Sequence, residues 1–274
     1  MASAVPAAIV QRMEPRAIEP PATSGAPLAV HWLGRIGYRD AWDLQKRLAA
    51  ARAADRIGDQ LLLLEHDAVL TLGRGADESH VLAPAPLLEA RGIELLRVER
   101  GGEVTYHGPG QLVAYPIVRL AGRDLLLRPF VRALEGALED TCAAFGVAAG
   151  RREGHPGCWV TPEGPMPRKI GALGLRVERG VTYHGIALNV SVDLADFGLI
   201  DPCGMPGLTS ASIASELGHR DERPSTESVA RAAAAFAEAF ARRLAAPIEG
   251  ELPPAADPAV GLAAALRLAG AVPA

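Results

Sequence analysis

The stretch Arg100-Gly-Gly-Glu-Val-Thr-Tyr-His-Gly-Pro-Gly-Gln-Leu-Val-Ala-Tyr-Pro116 leads from one apolar run, residues 93–98, into a second, residues 112–120. Glycine is the residue that takes positive φ, or lets the backbone approach a ligand closely, with the least strain. An ordinary turn between strands would explain the pair Gly101-Gly102. A turn has no need of the polar and aromatic run 105–107, so the stretch predicts a loop shaped around a ligand.

Part of this stretch occurs twice. The pentapeptide Val-Thr-Tyr-His-Gly fills residues 104–108 and again residues 181–185, where it precedes another apolar run, residues 186–190. Repeat arrays recur at shorter periods and more often, so the pair does not indicate a solenoid. We interpret the two copies as similar segments that line one cleft.

Composition excludes several classes of protein. The chain has 274 residues, 49% of them hydrophobic and 22% charged, which is typical of a globular protein with a sizeable core. A net charge of −4 argues against a nucleic-acid binder. No apolar run approaches the roughly 20 residues of a membrane span, and the N-terminus lacks the order of a secretory signal. Three widely spaced cysteines fit no disulfide framework, so we expect a cytoplasmic protein.

Apolar periodicity predicts a single α+β domain with mixed, largely antiparallel sheets flanked by helices. The predicted strands are residues 29–33, 61–64, 68–72, 112–120, 158–161, 169–177 and 186–190. The predicted helices are residues 38–57, 128–145, 211–217 and 225–244, with residues 258–268 undecided. The domain is predicted to span residues 28–245, between a poorly ordered tail (1–27) and an Ala- and Pro-rich tail (246–274).

Cysteine is the first candidate for chemistry. Cys203 lies between Pro202 and Gly204, which places it in a loop. Cys142 lies on the apolar stripe of a predicted helix and Cys158 in a predicted strand, so both are expected in the core. A reactive cysteine needs its thiolate favoured by a nearby cation and needs a partner that manages protons.

Lysine is rare in this chain. Of 28 basic residues only Lys46 and Lys169 are lysines, and the rest are arginines. A guanidinium cannot give up its proton, whereas an ammonium can, so a site that shuttles a proton would keep Lys. Lys169, at the start of a Gly-rich strand, is the candidate partner of Cys203, although it could also be an incidental surface lysine. Lys46, beside an arginine on a helix, is such a case.

The histidines of the two pentapeptides, His107 and His184, could act as general bases. Two at matching positions favour a role in shaping a pocket. No carboxylate or cysteine ligands occur at the short spacing of a metal site, and no phosphate-binding loop is present, so neither a metal nor a nucleotide cofactor is expected.

Several motifs together resemble one family, the octanoyltransferases (lipoyl(octanoyl) transferases of lipoic-acid synthesis), with a biotin/lipoate protein ligase-like fold. The resemblance covers residues 70–205 in order and, more weakly, residues 28–245. It departs from the family pattern at Cys158, where an aliphatic residue is usual, and at residues 66–68. It rests on residues 100–116 and on Thr71-Leu-Gly-Arg74, Lys169-Ile-Gly-Ala-Leu-Gly174, Tyr183-His-Gly-Ile-Ala-Leu-Asn-Val190 and Pro202-Cys-Gly204.

This resemblance implies a two-step acyl transfer without a cofactor. Cys203 would take an octanoyl group from octanoyl-acyl carrier protein, with Lys169 favouring the thiolate and handling protons. The acceptor would be a lysine on lipoyl domains of 2-oxoacid dehydrogenase complexes or on the glycine cleavage H protein. The implied substrate-binding residues are Arg100, Gly101, Gly102, Glu103, Val104, Thr105, Tyr106, His107, Ala172, Leu173, Gly174, Gly185, Ile186 and Ala187.

Three alternatives remain open from the residues. An ATP-dependent lipoate or biotin protein ligase would share the fold but needs no nucleophilic cysteine. A non-catalytic acyl-carrier binding module would have no use for Cys203 together with Lys169. A cysteine hydrolase normally pairs its cysteine with a histidine, which His184 could supply.

Overall fold

The computed structural model describes residues 25–219 and 224–270. The strands are β1 (Leu28–Ile36), β2 (Asp59–His66), β3 (Val69–Leu72), β4 (Glu94–Arg97), β5 (Val104–His107), β6 (Gln111–Ile117), β7 (Ala149–Arg152), β8 (His155–Val160), β9 (Arg168–Glu178), β10 (Val181–Asn189) and β11 (Ile248–Glu249). The α-helices are α1 (Tyr38–Ala53), α2 (Ala85–Ala90), α3 (Leu127–Ala144), α4 (Ile213–Glu216), α5 (Thr226–Arg243) and α6 (Pro258–Gly270).

Two sheets organise these elements. The larger has the strand order β11-β1-β2-β6-β10-β9-β8-β7, and the smaller has the order β4-β3-β5. In the larger sheet β1 pairs in parallel with β11 and β2, and the other neighbours are antiparallel. In the smaller sheet β3 pairs in parallel with β4 and antiparallel with β5. The predicted α+β class with mixed, largely antiparallel sheets is confirmed.

The core follows from the apolar run 61–64 in β2. Successive side chains of a strand point to opposite faces, so an unbroken apolar run predicts a strand buried on both faces. Leu61 and Leu63 pack in the cluster that contains the buried side chains of α3 and α5. Leu62 and Leu64 pack on the other face with α1 and α6. Each fully buried leucine contributes about 1.5–3 kcal/mol relative to an exposed one.

Most predicted elements are found, with ends that differ from the predicted ones: β1 and β2 are longer, and other elements are shorter. The predicted helix 38–57 ends at Ala53, because Asp55 takes a φ of 53° and breaks the helical path. The predicted strand 112–120 ends at Ile117, and Leu120 begins a 3₁₀ turn instead. The first 24 residues of the predicted N-terminal tail lie outside the described residues.

The C-terminal segment differs from the sequence analysis, which treated residues 246–274 as a tail. In the structure β11 pairs with the start of β1, and α6 packs against β1 and α1. Composition did not reveal this helix, because its contact with β1 requires small residues. Such residues give only a weak apolar stripe in the sequence. A Cβ on Gly261 would lie 2.2 Å from the carbonyl oxygen of Trp32. Residues 248–270 therefore belong to the folded unit.

We expect Gly261→Ala to destabilise the protein although alanine is the better helix former. The methyl group would meet the β1 backbone and push α6 away, at a cost of about 1–3 kcal/mol in the free energy of unfolding. Gly270→Ala is the matched control, since nothing lies within 4 Å of a Cβ there, and it should be neutral or slightly stabilising. Urea denaturation measures both. Equal effects would contradict the packing of α6 described here.

Candidate active site

A cavity lies where the loop before β5 faces β9, β10 and the turn that carries Cys203. Its lining contains both groups predicted to react, Cys203 and Lys169. The lining residues are Tyr38, Arg100, Gly102, Glu103, Val104, Thr105, His107, Tyr115, Lys169, Ala172, Leu173, Gly174, His184, Gly185, Ile186, Ala187 and Cys203.

Two residues of the predicted set, Gly101 and Tyr106, do not line this cavity in the part of the chain that the structure describes. Alternation along β5 directs Tyr106 to the opposite side, where its ring meets Phe197 with centroids 5.6 Å apart. Gly101 acts through its backbone, since its N–H donates to the carbonyl of Leu175 at 2.9 Å. Its own carbonyl lies 2.7 Å from where a Cβ on Gly174 would be, so Gly174 has to be glycine for the loop to approach β9.

Cys203 occupies a strained position. It sits in a short 3₁₀ turn, Pro202–Gly204, with φ 60° and ψ 22°, a left-handed conformation uncommon for a residue with a side chain. Such strain persists where the surroundings enforce it, often at functional sites. The thiol is partly accessible, whereas Cys142 and Cys158 are fully buried in the core, as predicted.

Lys169 is held beside this thiol. Its Nζ lies 3.1 Å from Cys203 Sγ and donates to the carbonyl of Pro156 at 3.0 Å. The ammonium also lies 4.9 Å from the centroid of the Trp159 ring. A cation close to the sulfur is one of the features that reactive cysteines share.

The backbone of Lys169 fixes the separation of the two groups. Its N–H donates to Thr209 O at 3.0 Å, and its carbonyl accepts from Ala211 N at 2.9 Å. Residues 209–211 follow the Cys203 turn closely along the chain. The strand that carries the lysine is therefore bonded directly to the segment that carries the cysteine.

Arg100 organises the loop before β5. It is 7% exposed, and its guanidinium donates to Thr71 O at 2.7 Å, Thr71 Oγ1 at 2.9 Å and Gly101 O at 3.1 Å. Burial lowers the pKa of this guanidinium from its ordinary value. These bonds tie the glycine-rich loop to β3, which makes Arg100 a clamp on the cavity wall.

Both copies of the pentapeptide contribute to the cavity, one from each sheet, as the repeat predicted. His107 Nδ1 donates to Gln111 Oε1 at 2.8 Å, and Gln111 Nε2 donates to Asn189 Oδ1 at 2.9 Å. His184 differs, because its φ is 55° and neither ring nitrogen has a hydrogen-bond partner among the described residues.

Three further residues surround these histidines and were missed by the sequence analysis: His66, Tyr38 and Tyr115. His66 donates from Nδ1 to the carbonyl of Ile36 at 2.8 Å and accepts from Tyr115 Oη at Nε2, at 2.7 Å. The ring of Tyr38 stacks on that of His107, with centroids 5.8 Å apart. The available signal was the position of His66, a polar residue two places after the four leucines of β2 and still inside that buried strand.

Burial keeps the three histidines neutral. It lowers the pKa of His66 to about 4 and the pKa values of His107 and His184 to about 3. Removing a charged imidazole from water is costly, so the uncharged form persists at neutral pH. The group of His66, His107, His184, Tyr38 and Tyr115, called here the histidine–tyrosine cage, is therefore uncharged at neutral pH, and its members other than His66 line the cavity.

A second polar pair supports the Cys203 turn from outside. His80 Nδ1 lies 3.2 Å from Glu103 Oε2, and Asp201 N donates to His80 O at 2.8 Å. Gly204 packs on this pair, since a Cβ there would lie 2.9 Å from the His80 ring. Sequence patterns gave no reason to select His80.

Comparison with known proteins places the chain in a family. Residues 37–241 match the lipoyl protein ligase A/B catalytic domain. An octanoyltransferase of Acidobacterium capsulatum is 49% identical over 194 residues, which is 68% of this chain and 78% of the relative. An octanoyltransferase of Chloroflexus aurantiacus is 46% identical over 216 residues, 78% of this chain and 94% of the relative. The chain belongs to the octanoyltransferase family. This confirms the resemblance found in the motifs, and the protein is an acyltransferase of protein lipoylation.

Solved structures support the fold. A bipartite lipoate protein ligase of Thermoplasma acidophilum, described with its E2 lipoyl domain, superposes with a TM-score of 0.59 at 16% identity, covering 90% of this chain and 92% of the ligase. The likeness extends over nearly the whole octanoyltransferase, so the lipoate ligase-like fold is confirmed.

Within residues 25–219 and 224–270, no helix has both the length and the apolar character needed to cross a bilayer. In the same residues, no group of three or more His, Cys, Asp and Glu side chains is arranged to hold a metal ion.

The histidine–tyrosine cage makes stability depend on pH. Between about pH 6.5 and pH 4 the unfolded chain binds protons that the folded cage does not, so the free energy of unfolding falls as the pH is lowered. Each buried histidine adds a slope of about 1.4 kcal/mol per pH unit. We expect His107→Asn to reduce the slope between pH 6.5 and 5 by about that amount, measured by urea denaturation at several pH values.

The control for this measurement is Leu126→Ala. Leu126 is 76% exposed directly before α3, and none of the cage contacts given above involves it. That variant should keep the wild-type slope. A wild-type slope in His107→Asn would contradict the assignment of neutral buried imidazoles.

Proposed function

We propose that this octanoyltransferase moves an octanoyl group from acyl carrier protein to the ε-amine of a lysine on a lipoyl domain, through a thioester on Cys203. The observation that carries the proposal is the 3.1 Å contact between Lys169 Nζ and Cys203 Sγ at the cavity wall. A pocket that only bound an acyl carrier would gain nothing from that pair.

In the first half-reaction the Cys203 thiolate attacks the carbonyl carbon of the octanoyl thioester. The bond from that carbon to the phosphopantetheine sulfur breaks, and the departing thiolate takes a proton from Lys169. A thioester replaces a thioester, so the step is close to isoenergetic and needs no ATP. The covalent intermediate divides the transfer into two easier steps.

In the second half-reaction the acceptor amine attacks the octanoyl-Cys203 carbonyl. Cys203 leaves as a thiolate, and Lys169, neutral after the first step, takes the proton that the new amide nitrogen releases. Lys169 thus returns to the ammonium form beside the thiolate. An arginine could hold the thiolate but could not carry this proton in both directions.

The walls of the cavity supply the acyl site in this proposal. Ala172, Leu173, Ile186 and Ala187 give it apolar surface, and the uncharged histidine–tyrosine cage adds no fixed charge against an alkyl chain. Backbone N–H groups of the glycine-rich loop are candidates to hold the thioester oxygen as charge develops. Gly101 and Tyr106 would act by packing rather than by contact with substrate.

The choice of partners is also a proposal. Family membership implies an acyl donor and a lipoyl-domain acceptor in general. We propose octanoyl-acyl carrier protein as the donor. The proposed acceptors are lipoyl domains of 2-oxoacid dehydrogenase complexes and the glycine cleavage H protein. We propose that the enzyme encounters these partners in the cytoplasm. The archaeal ligase that shares this fold is described with an E2 lipoyl domain, the kind of acceptor proposed here.

An ATP-dependent ligase is the nearest alternative, and the fold does not separate it from a transferase. At 16% identity the likeness to the archaeal ligase shows the fold alone. The contact of Lys169 with Cys203 favours the transferase, because activating a free acid with ATP requires no nucleophilic thiol.

Intact-protein mass spectrometry tests the proposal. We expect wild-type enzyme, mixed with octanoyl-acyl carrier protein and no ATP, to gain one octanoyl group and to lose it when an apo lipoyl domain is added. Cys203→Ala should gain none. Lys169→Arg should acylate at least about 100-fold more slowly, since general acid–base catalysis contributes factors of this size.

Cys142→Ala is the matched control, because Cys142 is a fully buried cysteine away from the cavity. It should acylate at the wild-type rate. An adduct on Cys203→Ala, or product that forms only when ATP is present, would rule out the acyl-Cys203 mechanism.

A further inference from the structure

One peptide group, between Pro156 and Gly157, lies between Lys169 and a carboxylate outside the cavity. The carbonyl of this peptide accepts from Lys169 Nζ at 3.0 Å. The N–H of the same peptide donates to Glu135 Oε1 at 3.1 Å. The C=O and N–H of a trans peptide point in opposite directions. Glu135 and Lys169 therefore bond to opposite sides of the same planar peptide group.

Glu135 is buried to an extent that is unusual for a carboxylate. It lies on α3 and is 3% exposed, whereas the side chains of Glu139 and Asp140, on the same helix, are 24% and 39% exposed. Its other oxygen, Oε2, accepts from Arg132 at 2.9 Å. Burying a charge is costly unless it is paired and hydrogen-bonded. Glu135 meets this condition through Arg132 on one oxygen and the Gly157 N–H on the other.

Because residue 157 is glycine, the orientation of the Pro156–Gly157 peptide depends on its bond to Glu135. Its φ of 123° is a conformation that side chains rarely permit, and a Cβ would lie 2.4 Å from Gly171 O and 3.0 Å from Lys169 Cε. Within the described strands, Gly157 has no register partner in β7 or β9. A glycine without ladder pairing allows the preceding peptide to rotate. The bond to Glu135 opposes that rotation.

The carboxylate also strengthens the bond to the lysine. A charged acceptor on the N–H polarises the peptide, which makes its carbonyl a better partner for an ammonium. Trp159, whose ring faces Lys169, donates its own Nε1–H to His155 O at 3.0 Å, so the same short segment orients both groups around the ammonium.

We infer that Glu135 is a positioning residue, which fixes the Pro156–Gly157 peptide so that its carbonyl holds the Lys169 ammonium against the Cys203 thiol. Glu135 touches neither substrate nor thiol and acts only through this peptide. The inference rests on the proposed function for the roles of Lys169 and Cys203.

The rate of alkylation of Cys203 by iodoacetamide tests the inference, followed by peptide mass spectrometry on the full-length enzyme. This readout needs no octanoyl donor, so it can fail or succeed independently of the proposed transfer. We expect Glu135→Leu to alkylate about tenfold more slowly at pH 7, the effect of losing one charge-assisted hydrogen bond. Its profile of rate against pH should move to higher pH.

Two variants distinguish a role of Glu135 in orienting the Pro156–Gly157 peptide from a role in packing alone. Glu135→Gln keeps an oxygen that accepts from Gly157 N–H, and should stay within about threefold of wild type. Glu139→Leu removes the matched carboxylate one turn along α3, which pairs with Arg151 at 3.1 Å, and should leave the alkylation rate unchanged. Equal losses in Glu135→Leu and Glu139→Leu would overturn the inference.

A double-mutant cycle tests the route of action. In a Lys169→Met background, Glu135→Leu should cause no further loss, because the residue through which Glu135 acts is gone. A full tenfold loss in that background would overturn the inference. If Glu135→Leu does not fold, Glu135→Asp replaces it, since the shorter side chain withdraws the carboxylate from Gly157 N–H. Circular dichroism establishes the folded state of each variant.

Discussion

The contact between Lys169 Nζ and Cys203 Sγ is the interaction on which the rest of this structure depends. The two residues are 34 positions apart, and neither is placed by local sequence alone. Backbone bonds from Lys169 to residues 209 and 211 set their spacing, and the close approach of Gly204 to His80 sets the direction of the turn. Several independent elements hold this contact, which explains how a cysteine can remain in a left-handed conformation.

Charged and neutral side chains are unevenly distributed around the Lys169–Cys203 pair. Lys169, the Cys203 thiol and Glu103 lie at or near the Cys203 turn, and the lining also contains neutral imidazoles, tyrosines and apolar side chains. Arg100 also lines the cavity, and its donors are occupied by Thr71 and Gly101. The result is a site that concentrates its polarity where bonds would be exchanged and offers an uncharged surface to the remainder of a substrate.

The sequence predicted the parts of the site whose residue types are chemically unusual. Cys203 in a Pro-Gly loop, Lys169 in an arginine-rich chain and the repeated pentapeptide each had a physical reason to be selected. His66 and Glu135 gave no comparable signal, because their importance comes from partners brought near by strand pairing and helix packing. Tyr106 belongs to the motif but does not line the cavity, and a contiguous motif does not distinguish the two faces of β5. Helix α6 was left undecided because its glycine and alanine residues carry little apolar periodicity.

The position of α6 and β11 has a consequence for behaviour in concentrated solution. β1 is a long strand, and without its neighbour it would present a row of unpaired backbone groups, a template for strand addition by another molecule. β11 covers the start of that row, Gly250 approaches the carbonyl of Val30, and Gly261 approaches the carbonyl of Trp32. Two glycines thus let the chain's own C-terminal segment lie directly on the exposed margin of the sheet. The segment thereby covers backbone groups of β1 that a strand of another molecule could otherwise pair with, a role distinct from both catalysis and packing of the core.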